Sequence, residues 1–265
     1  MNINKAVIAV IGAVLSTVVF AGGMQDEPDT CWGNAGSCAG TPPSEPYPWL
    51  RVTALSLGAA RTTNGETQTF YVKPTIKKTY YAADESTVLF NGELFLGAQR
   101  AISPMFSAQV GLALAVDSNA HLSGNIWENA DPNFSNYVYN YAINHAHLAI
   151  KGKLLADFGQ NYQPYVSASI GAGVNNAHGF TITTKRYEEV PAPIFKDNMT
   201  LAFAYTLGLG VQTPISDHWQ AGLGYEFASW GPSKLARGAG QTVNAGPEIS
   251  NTYTNALLFL LSYTV

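Results

Sequence analysis

Two runs of strictly alternating residues, 201–211 and 219–227, restrict the fold of this chain more than any other feature. In the first run, apolar and mostly large side chains alternate with small or polar ones: Leu201, Phe203, Tyr205, Leu207, Leu209 and Val211 against Ala202, Ala204, Thr206, Gly208 and Gly210. A period of two residues predicts a β-strand with one apolar face. The polar corner 213–218 leads to a second such strand, which predicts an antiparallel hairpin. The second face is small and carries few charges, so it suits the interior of a narrow membrane barrel.

The composition also favours a membrane protein built from strands. Charged residues make up 12% of the sequence, about half of the roughly 25% in a typical soluble domain. No stretch after residue 21 approaches the roughly 18 apolar residues of a spanning helix. Low charge without such a helix predicts a β-barrel. The net charge of −4 gives no indication of a nucleic-acid partner.

Similar alternating runs recur along the chain and predict eight strands within residues 49–265. The connections between them alternate in length, and four are long and polar: 62–86, 118–136, 175–197 and 231–250. Short periplasmic turns and long extracellular loops alternate in this way in outer-membrane barrels. In a barrel of eight strands, the interior is just wide enough to be filled by side chains. We therefore predict an all-β fold, an eight-stranded antiparallel transmembrane β-barrel. A soluble lipocalin-like barrel would need an outer face rich in charge, and both faces here are poor in charge.

The N-terminal part predicts export. Residues 1–21 read as a signal peptide, with a short basic region, an apolar run and small residues before a cleavage site at Ala21. Residues 22–48 are rich in proline and are expected to form a periplasmic segment. This segment contains Cys31 and Cys38, which predict a disulfide because an even pair of cysteines in an exported chain usually forms one. A metal site there would need further ligands, and none is adjacent.

Residues 49–265 resemble the small eight-stranded outer-membrane β-barrel proteins of proteobacteria, the OmpA-like and OmpX-like class. In that class the last strand carries an assembly signal of alternating apolar residues with a terminal aromatic. The alternation is present here, although the last position departs from the class because it is not aromatic: Phe259, Leu261, Tyr263 and Val265. The resemblance implies the cell outer membrane as location, with its lipid, lipopolysaccharide and the barrel assembly machinery as partners. It implies no particular activity.

Four charged residues fall on the small polar faces and are expected inside the lumen: Glu93, Lys151, Lys153 and Glu226. Charges inside a narrow barrel are costly unless they are paired. We therefore predict an ion-pair network that plugs the lumen. The functional alternative is an ion pathway.

His145 and His147 lie on the same face of one strand, a spacing that can bring two imidazoles near one metal ion. Two ligands from a single strand do not make a site, so the pair predicts hydrogen-bonded lumen or rim positions without metal or cofactor. A lipid A deacylase would need a serine and a histidine together on the outer surface. Neither histidine faces that way, so we predict no catalytic residues and no enzyme.

The loops carry basic residues that could meet lipopolysaccharide phosphates, or be simply solvated: Lys73, Lys77, Lys78, Lys185, Arg186, Lys234 and Arg237. Aromatic residues near the strand ends predict two interfacial belts, formed by Tyr80, Tyr81, Trp127, Tyr137, Tyr139 and Trp230 outside and Trp49, Tyr165, Trp219 and Tyr263 inside. We predict a monomer with a structural or surface-adhesion role, in which the extracellular loops contact a host or surface ligand. The alternatives are a narrow pore for ions or small solutes and, third, a lipid A-modifying enzyme.

Overall fold

The computed structural model describes residues 47–62, 65–185 and 193–265. The predicted signal peptide, the Cys31 and Cys38 pair and almost all of the predicted periplasmic segment lie outside these residues.

The described residues form twelve strands and one short 3₁₀ helix. The strands are β1 (Leu50–Thr62), β2 (Gln68–Lys73), β3 (Ile76–Ala82), β4 (Val88–Ser103), β5 (Phe106–Glu128), β6 (Ser135–Ala156), β7 (Gln163–Thr184), β8 (Asn198–Pro214), β9 (Trp219–Ser229), β10 (Ser233–Lys234), β11 (Glu248–Ile249) and β12 (Tyr253–Thr264), and the helix is Pro132–Phe134. No helix in the part of the chain that the structure describes is long and apolar enough to cross a membrane.

Eight of these strands close into a ring in the order β1, β4, β5, β6, β7, β8, β9, β12, with every neighbouring pair antiparallel. The ring closes between β1 and β12, where Val52 pairs with Thr264 and Thr62 pairs with Thr254. Because the ring is closed, each of these eight strands pairs with a neighbouring strand on both of its edges over at least part of its length. This arrangement confirms the predicted eight-stranded antiparallel barrel.

Two of the predicted loops are shorter than expected because strands of the ring extend into them. β5 continues to Glu128 and β6 begins at Ser135, so only residues 129–134 connect them, instead of the predicted 118–136. In the same way β7 runs to Thr184, although the prediction ended this strand near residue 174. The prediction failed because the outward residues of these extensions are polar, which hides the alternation of a lipid-facing strand.

β-Bulges mark the level at which the extensions begin. On β5 the pairing register shifts between Asp117 and Ala120. Below the shift the odd residues point inward, and above it the even residues do, as the burial of Ala115, Asp117, Leu122 and Ile126 shows. A bulge adds one residue to one strand and so exchanges its two faces. The apolar even positions of β5 therefore face outward below the bulge and inward above it.

β7 contains a second bulge with the same effect. Its register against β6 shifts between Asn140 and Ala142, and Gly179 has a φ of 70° there. A left-handed glycine is typical of a bulge position. Beyond Gly179 the inward side chains come from even positions, beginning with Phe180.

The bulges divide the barrel into two parts. We call the spanning half the residues 50–62, 88–117, 145–177, 199–229 and 253–265, and the head the residues 65–87, 118–144, 178–185, 193–198 and 230–252. In the spanning half the outward side chains are apolar and exposed, including Leu55, Leu57, Leu112, Leu148, Ile150, Val166, Ile170, Leu201, Phe203, Leu207, Leu209, Leu223, Leu257 and Phe259. An apolar outer band around a polar interior is the architecture of a membrane-spanning barrel of the outer-membrane type.

The head has extra strands that the ring does not use. β3 pairs with β5 above the level at which β4 stops, from Ala82 opposite Gly124 to Lys78 opposite Glu128. β2 pairs with β3 as a hairpin, and β10 pairs with β11 within the last loop. These elements cover the outer opening of the ring.

Candidate functional site

The lumen of the spanning half contains a three-residue ion centre. Lys151 of β6 places its Nζ 2.6 and 2.8 Å from the two carboxylate oxygens of Glu93 on β4, and 2.7 Å from Oε2 of Glu226 on β9. All three side chains are at least 90% buried. The three ammonium protons therefore have three acceptors, and one cation joins three strands of the barrel wall.

Lys153, the fourth residue of the predicted network, does not contact either carboxylate. Its Nζ lies 2.6 Å from Oε1 of Gln212 and 3.9 Å from the ring centroid of Tyr165. Because it is two residues closer to the periplasmic turn than Lys151, it sits one step lower on the same inner face. The structure thus brings together three of the four predicted residues and gives the fourth neutral partners.

Free space in the lumen beside the ion centre is small. A cavity of about 30 Å³ is bordered by Glu93, Lys151, Lys153 and Glu226, with Phe95 and Leu260 among the apolar residues of its wall. A buried water needs at least about 10–15 Å³ of such space, so the cavity holds about two.

The two predicted histidines form a hydrogen-bonded column above the ion centre. His145 Nδ1 lies 2.6 Å from Asn175 Oδ1, and His145 Nε2 lies 3.0 Å from His147 Nδ1. The Asn175 amide nitrogen donates to the carbonyls of Trp230 and Pro232, which fixes its oxygen toward His145. His145 Nδ1 must then donate, and neutral His145 accepts at Nε2 from His147. His147 Nε2 is left as an acceptor without a partner among the described residues.

Four further residues lie in the lumen at the level of this column, where the sequence analysis did not place them. Asn175 orients His145, the indole of Trp230 stacks on His145 with centroids 4.9 Å apart, and Asn91 Nδ2 donates to Asp117 Oδ1 at 2.7 Å. Asp117 and Asn175 each continue the odd-numbered inner series of their strands. Extending that series by one step beyond Ala115 and Gly173 would have found both.

The interior of the head is an aromatic core. Phe180 packs against the rings of Tyr80, Tyr139, Tyr141 and Phe195, with centroids 4.9 to 6.5 Å apart. The same cluster of buried residues also contains Leu122, Ile126, Tyr137, Ile143, Leu235 and Ile249. Burial raises the pKa of Tyr80, and the nearby Glu128 carboxylate raises it further. Burial likewise raises the pKa of Tyr139 and Tyr141.

This core corrects the predicted outer aromatic belt. Tyr80, Tyr137, Tyr139 and Trp230 are at most 3% exposed and point into the barrel, not toward lipid. Tyr165, expected in the inner belt, borders the lumen cavity. The prediction was wrong for these five residues because it placed them by their distance along the strand and did not follow the alternation that assigns them to a face. Tyr81, Trp49 and Trp219 are exposed, as predicted.

Hydrogen bonds join the first and last loops across the top of the head. Glu66 accepts from the backbone nitrogen and the hydroxyl of Ser250 at 2.8 and 3.0 Å, and Gln68 exchanges hydrogen bonds with the backbone of Glu248. Asn244 donates to the carbonyl of Tyr71 at 2.8 Å. The segment 193–197 joins this assembly through a bridge between Lys196 and Ala236. The described loops therefore form one connected layer over the aromatic core.

One of the basic residues expected to face lipopolysaccharide is buried in the head. Lys78 is 5% exposed, and its Nζ lies 2.5 Å from Glu128 Oε1 and 5.4 Å from the Tyr137 ring centroid. Lys185 binds Asn125 and Ser135 on the outer wall at 2.7 and 2.9 Å. Arg186 lies outside the described residues. For Lys73, Lys77, Lys234 and Arg237, contact with lipopolysaccharide phosphates and simple solvation both remain open predictions.

A cleft of about 440 Å³ lies on the outer wall where the head meets the spanning half. Residues of the segment 85–87 form one side, and outward side chains of β5, β6 and β7 form the rest. Leu122, Tyr141, Ala142 and Gly179 also border the cleft, whose polar lining residues are Glu85, Ser86, Thr87, Asn119, His121, Ser123, Asn140 and His178. His121 and His178 escaped prediction because both lie in segments, 118–136 and 175–197, that were expected to be loops. No serine or threonine hydroxyl contacts either imidazole ring among the residues that the structure describes.

The last strand places the predicted assembly signal on the outer surface. Phe259, Leu261 and Tyr263 alternate with buried Leu258, Leu260 and Ser262. Val265 exchanges backbone hydrogen bonds with Arg51 at 2.6 and 2.9 Å and is itself exposed. A role of these four residues in assembly stays a prediction. Within the described ranges, no group of three or more histidine, cysteine, aspartate or glutamate residues is arranged to hold a metal ion.

Many solved structures match the chain, and those compared in detail are outer-membrane or surface proteins of low similarity. No protein-family model and no curated protein matches the sequence. Neisserial surface protein A is 11% identical with a TM-score of 0.38, and the match covers 81% of this chain and 96% of that one. Outer-membrane protein OprG from Pseudomonas aeruginosa is 9% identical with a TM-score of 0.40, covering 81% and 95%. Outer-membrane protease OmpT from Escherichia coli is 6% identical with a TM-score of 0.43, covering 82% and 96%. At these values the similarity carries no information about activity.

Proposed function

We propose that this protein is a closed outer-membrane barrel that presents its head outside the cell as a surface for adhesion. The spanning half supplies the anchor, because its apolar band matches a bilayer interior. The long connections and extra strands all lie at the opposite end from the short turns 104–105, 157–162 and 215–218. In an outer-membrane barrel that end faces the outside of the cell.

The observation that carries the proposal is the aromatic core of the head. An adhesive surface binds best when its shape is fixed before binding. Exposed loops are mobile unless packing or hydrogen bonds hold them in one conformation. Here the rings of Tyr80, Phe180 and Phe195 pack within 6.5 Å of one another beneath loops that are bonded together. The head is therefore built like the interior of a soluble domain, and it carries its loops as a fixed surface.

The interior of the barrel favours a closed lumen over a pore. The ion centre, the histidine column and the aromatic core follow one another along the lumen, and the cavity beside the ion centre has room for about two waters. We expect no discrete channel openings when the refolded protein is placed in a planar bilayer. Stable single-channel currents of the wild type would contradict the closed barrel and favour the pore.

Adhesion is tested with cells that produce the protein. The exposed tip of the β2–β3 hairpin, Lys73, Pro74 and Thr75, points away from the core. Replacing the three residues by Gly-Ser-Gly should lower attachment of the cells to a host-cell layer while leaving surface amounts unchanged. A matched change in the periplasmic turn, Ser216→Gly with Asp217→Gly, should leave attachment unaltered. Equal attachment of producing and non-producing cells would contradict the adhesive role.

We further propose that the protein works as a monomer without cofactor or catalytic step, and that its last strand is recognised by the barrel assembly machinery. The outward alternation of Phe259, Leu261 and Tyr263 supports the last point. The proposed lack of a catalytic step has a direct test. Hydrolysis of acyl chains from lipid A by the purified protein would contradict it.

A further inference from the structure

The barrel wall is interrupted beside the outer cleft. β4 pairs with β5 only as far as Asp117, and β3 pairs with β5 only from Gly124 upward. On that side residues 118–123 have no strand neighbour, and the segment 83–87 covers the gap. Ala83 donates to the Ser123 carbonyl at 2.9 Å, and Thr87 donates to the His121 carbonyl at 2.7 Å. The cleft is therefore a consequence of how two strands share one edge of β5.

The polar groups of the cleft are held loosely enough to bind something else. Asn119, Asn144 and His178 approach one another at 3.3 to 3.4 Å, longer than the roughly 2.9–3.0 Å of an ordinary N–H···O bond. Ser123 donates to Glu85 at 3.2 Å. Such groups can exchange these contacts for shorter ones to a ligand.

The chemistry of the lining indicates a ligand rich in hydroxyl groups. Amides, imidazoles and hydroxyls both donate and accept, as sugar hydroxyls do. A phosphate would need several cations. The described lining contains no lysine or arginine and includes the Glu85 carboxylate; Arg61 reaches it only through Ser86, to which its Nε donates at 2.6 Å. The volume of about 440 Å³ falls within the roughly 300–1,000 Å³ of small-molecule sites.

The position of the cleft indicates where this ligand comes from. The outward residues of β5 change from Leu112, Leu114 and Val116 to Ser118 and Asn119 at the level of the bulge. That change marks the upper edge of the apolar band. A group bound in the cleft therefore lies at the height of the lipid head groups.

We propose that the outer cleft binds the sugar head of a glycolipid from the surrounding outer leaflet. This inference rests on the proposed outer-membrane placement. Asn119, His121 and His178 are the residues expected to hydrogen-bond the sugar, and the acyl chains would lie along the apolar band below. The cleft would then fix lipid at one side of the barrel only.

The test compares lipid retention by matched variants. Wild type, Asn119→Trp, which fills the cleft, and Asn255→Trp, on β12 at the opposite side of the ring, are inserted into nanodiscs of phospholipid with core-bearing lipopolysaccharide. Native mass spectrometry counts lipopolysaccharide retained per barrel. We expect Asn119→Trp to lower retention about tenfold, equivalent to about 1.4 kcal/mol, and Asn255→Trp to leave it unchanged. Equal retention by all three, or equal loss in both variants, overturns the site.

A second set of variants and probes separates the sugar from the lipid. His178→Ala with His121→Ala keeps the space but removes two polar groups, and it should also lower retention if the sugar is recognised. Equal competition by phospholipid alone would overturn recognition of the sugar head. Binding of free core oligosaccharide as tightly as lipopolysaccharide would overturn the membrane as the source. Failure of the folded wild type to enter nanodiscs would contradict the proposed function and this site together, whereas insertion without retention overturns the site alone.

Discussion

The spanning half and the head use the same strands but have opposite polarity. In the spanning half apolar side chains face outward and charges lie inside, whereas in the head aromatic rings lie inside and polar residues face outward. β5 and β7 run through both regions and exchange their faces at a bulge. Alternation in the sequence therefore predicts that a strand has two different faces, but not which of them points into the barrel. The surroundings decide which face is inside, because lipid accepts the apolar face that water rejects.

The two interiors are therefore stabilised in different ways. The spanning half depends on satisfying buried charge, with one ammonium shared between two carboxylates. The head depends on apolar burial and ring packing, which water outside the head makes favourable. Variants that damage one kind of interior should leave the other in place.

The largest effect is expected from Lys151→Met in the spanning half. This change leaves the buried carboxylates of Glu93 and Glu226 without their cation, at a cost on the order of 3–5 kcal/mol. Denaturant titration of the refolded protein in detergent measures it. Adding Glu93→Gln should recover part of the loss, because the two side chains are in contact.

Lys153→Met is the matched control for that change. The Lys153 ammonium contacts a glutamine and an aromatic ring, so its removal leaves no contacting carboxylate without a cation. The free energy of unfolding should therefore fall by only about 1–2 kcal/mol. Equal costs for the two lysines would contradict the assignment of the ion centre to Lys151.

In the head, Phe180→Ala should cost about 3 kcal/mol by leaving a cavity among four rings. The loss should appear as faster hydrogen exchange in 65–87 and 230–252, with exchange in the spanning half unchanged. Phe134→Ala removes an exposed phenylalanine from the same region and should change stability by less than about 0.5 kcal/mol. Faster exchange throughout the barrel would show that the two regions do not open separately.

Alkaline pH should weaken the head through Tyr80. Its pKa is raised above the ordinary 10.0 by burial and by Glu128, so the unfolded chain loses this proton above pH 10 while the folded one keeps it. This contribution to stability is complete below pH 10 and falls by about 1.4 kcal/mol per pH unit above it. Tyr80→Phe removes this pH-dependent contribution to stability. It breaks no hydrogen bond, since the Tyr80 hydroxyl has no partner among the described residues. Urea midpoints between pH 8 and 11 should therefore fall less steeply in the variant, and identical slopes would refute the prediction.

The smallest effect concerns the bulge that separates the two regions on β7. Gly179→Ala should cost about 1 kcal/mol, because φ is 70° and alanine avoids that conformation, although nothing lies within 4 Å of the added carbon. Gly152→Ala in the spanning half adds a methyl group to equally open space at an ordinary φ and should cost nothing measurable. Equal thermal midpoints for the two variants would show that the backbone conformation at Gly179 is not required.

The spanning half was predictable from the sequence because its rule is simple. Period-two alternation with few charges identified the strands, their order, and the inward positions of Glu93, Lys151 and Glu226. Pairing by Lys151 rather than Lys153 depends on the stagger of strands that are distant in sequence, which alternation does not contain. The head followed no such rule. On β6 the tyrosines Tyr137, Tyr139 and Tyr141 continue the inward odd positions of His145 and His147. On β5 and β7 the one-residue insertions near Asn119 and Gly179 exchange the two faces, so the sequence alternation alone does not show that Ile126 and Phe180 point inward.

The outer cleft was hidden for a related reason. It forms where β3 and β4 divide one edge of β5 between them, and no residue pattern in any one of these strands signals the gap. His121 and His178 are 57 positions apart in the chain and meet the same cleft only through the pairing of β5, β6 and β7.

The uninterrupted course of β5, β6 and β7 also decides how the protein bears mechanical load. A force that pulls on the head is directed along strands of 22 or 23 residues that continue into the membrane. The ladder hydrogen bonds lie across that direction, so the pull shears many of them at once instead of opening them one by one. With no linker to stretch between the two regions on these strands, tension on the outside of the cell passes directly to the bilayer anchor.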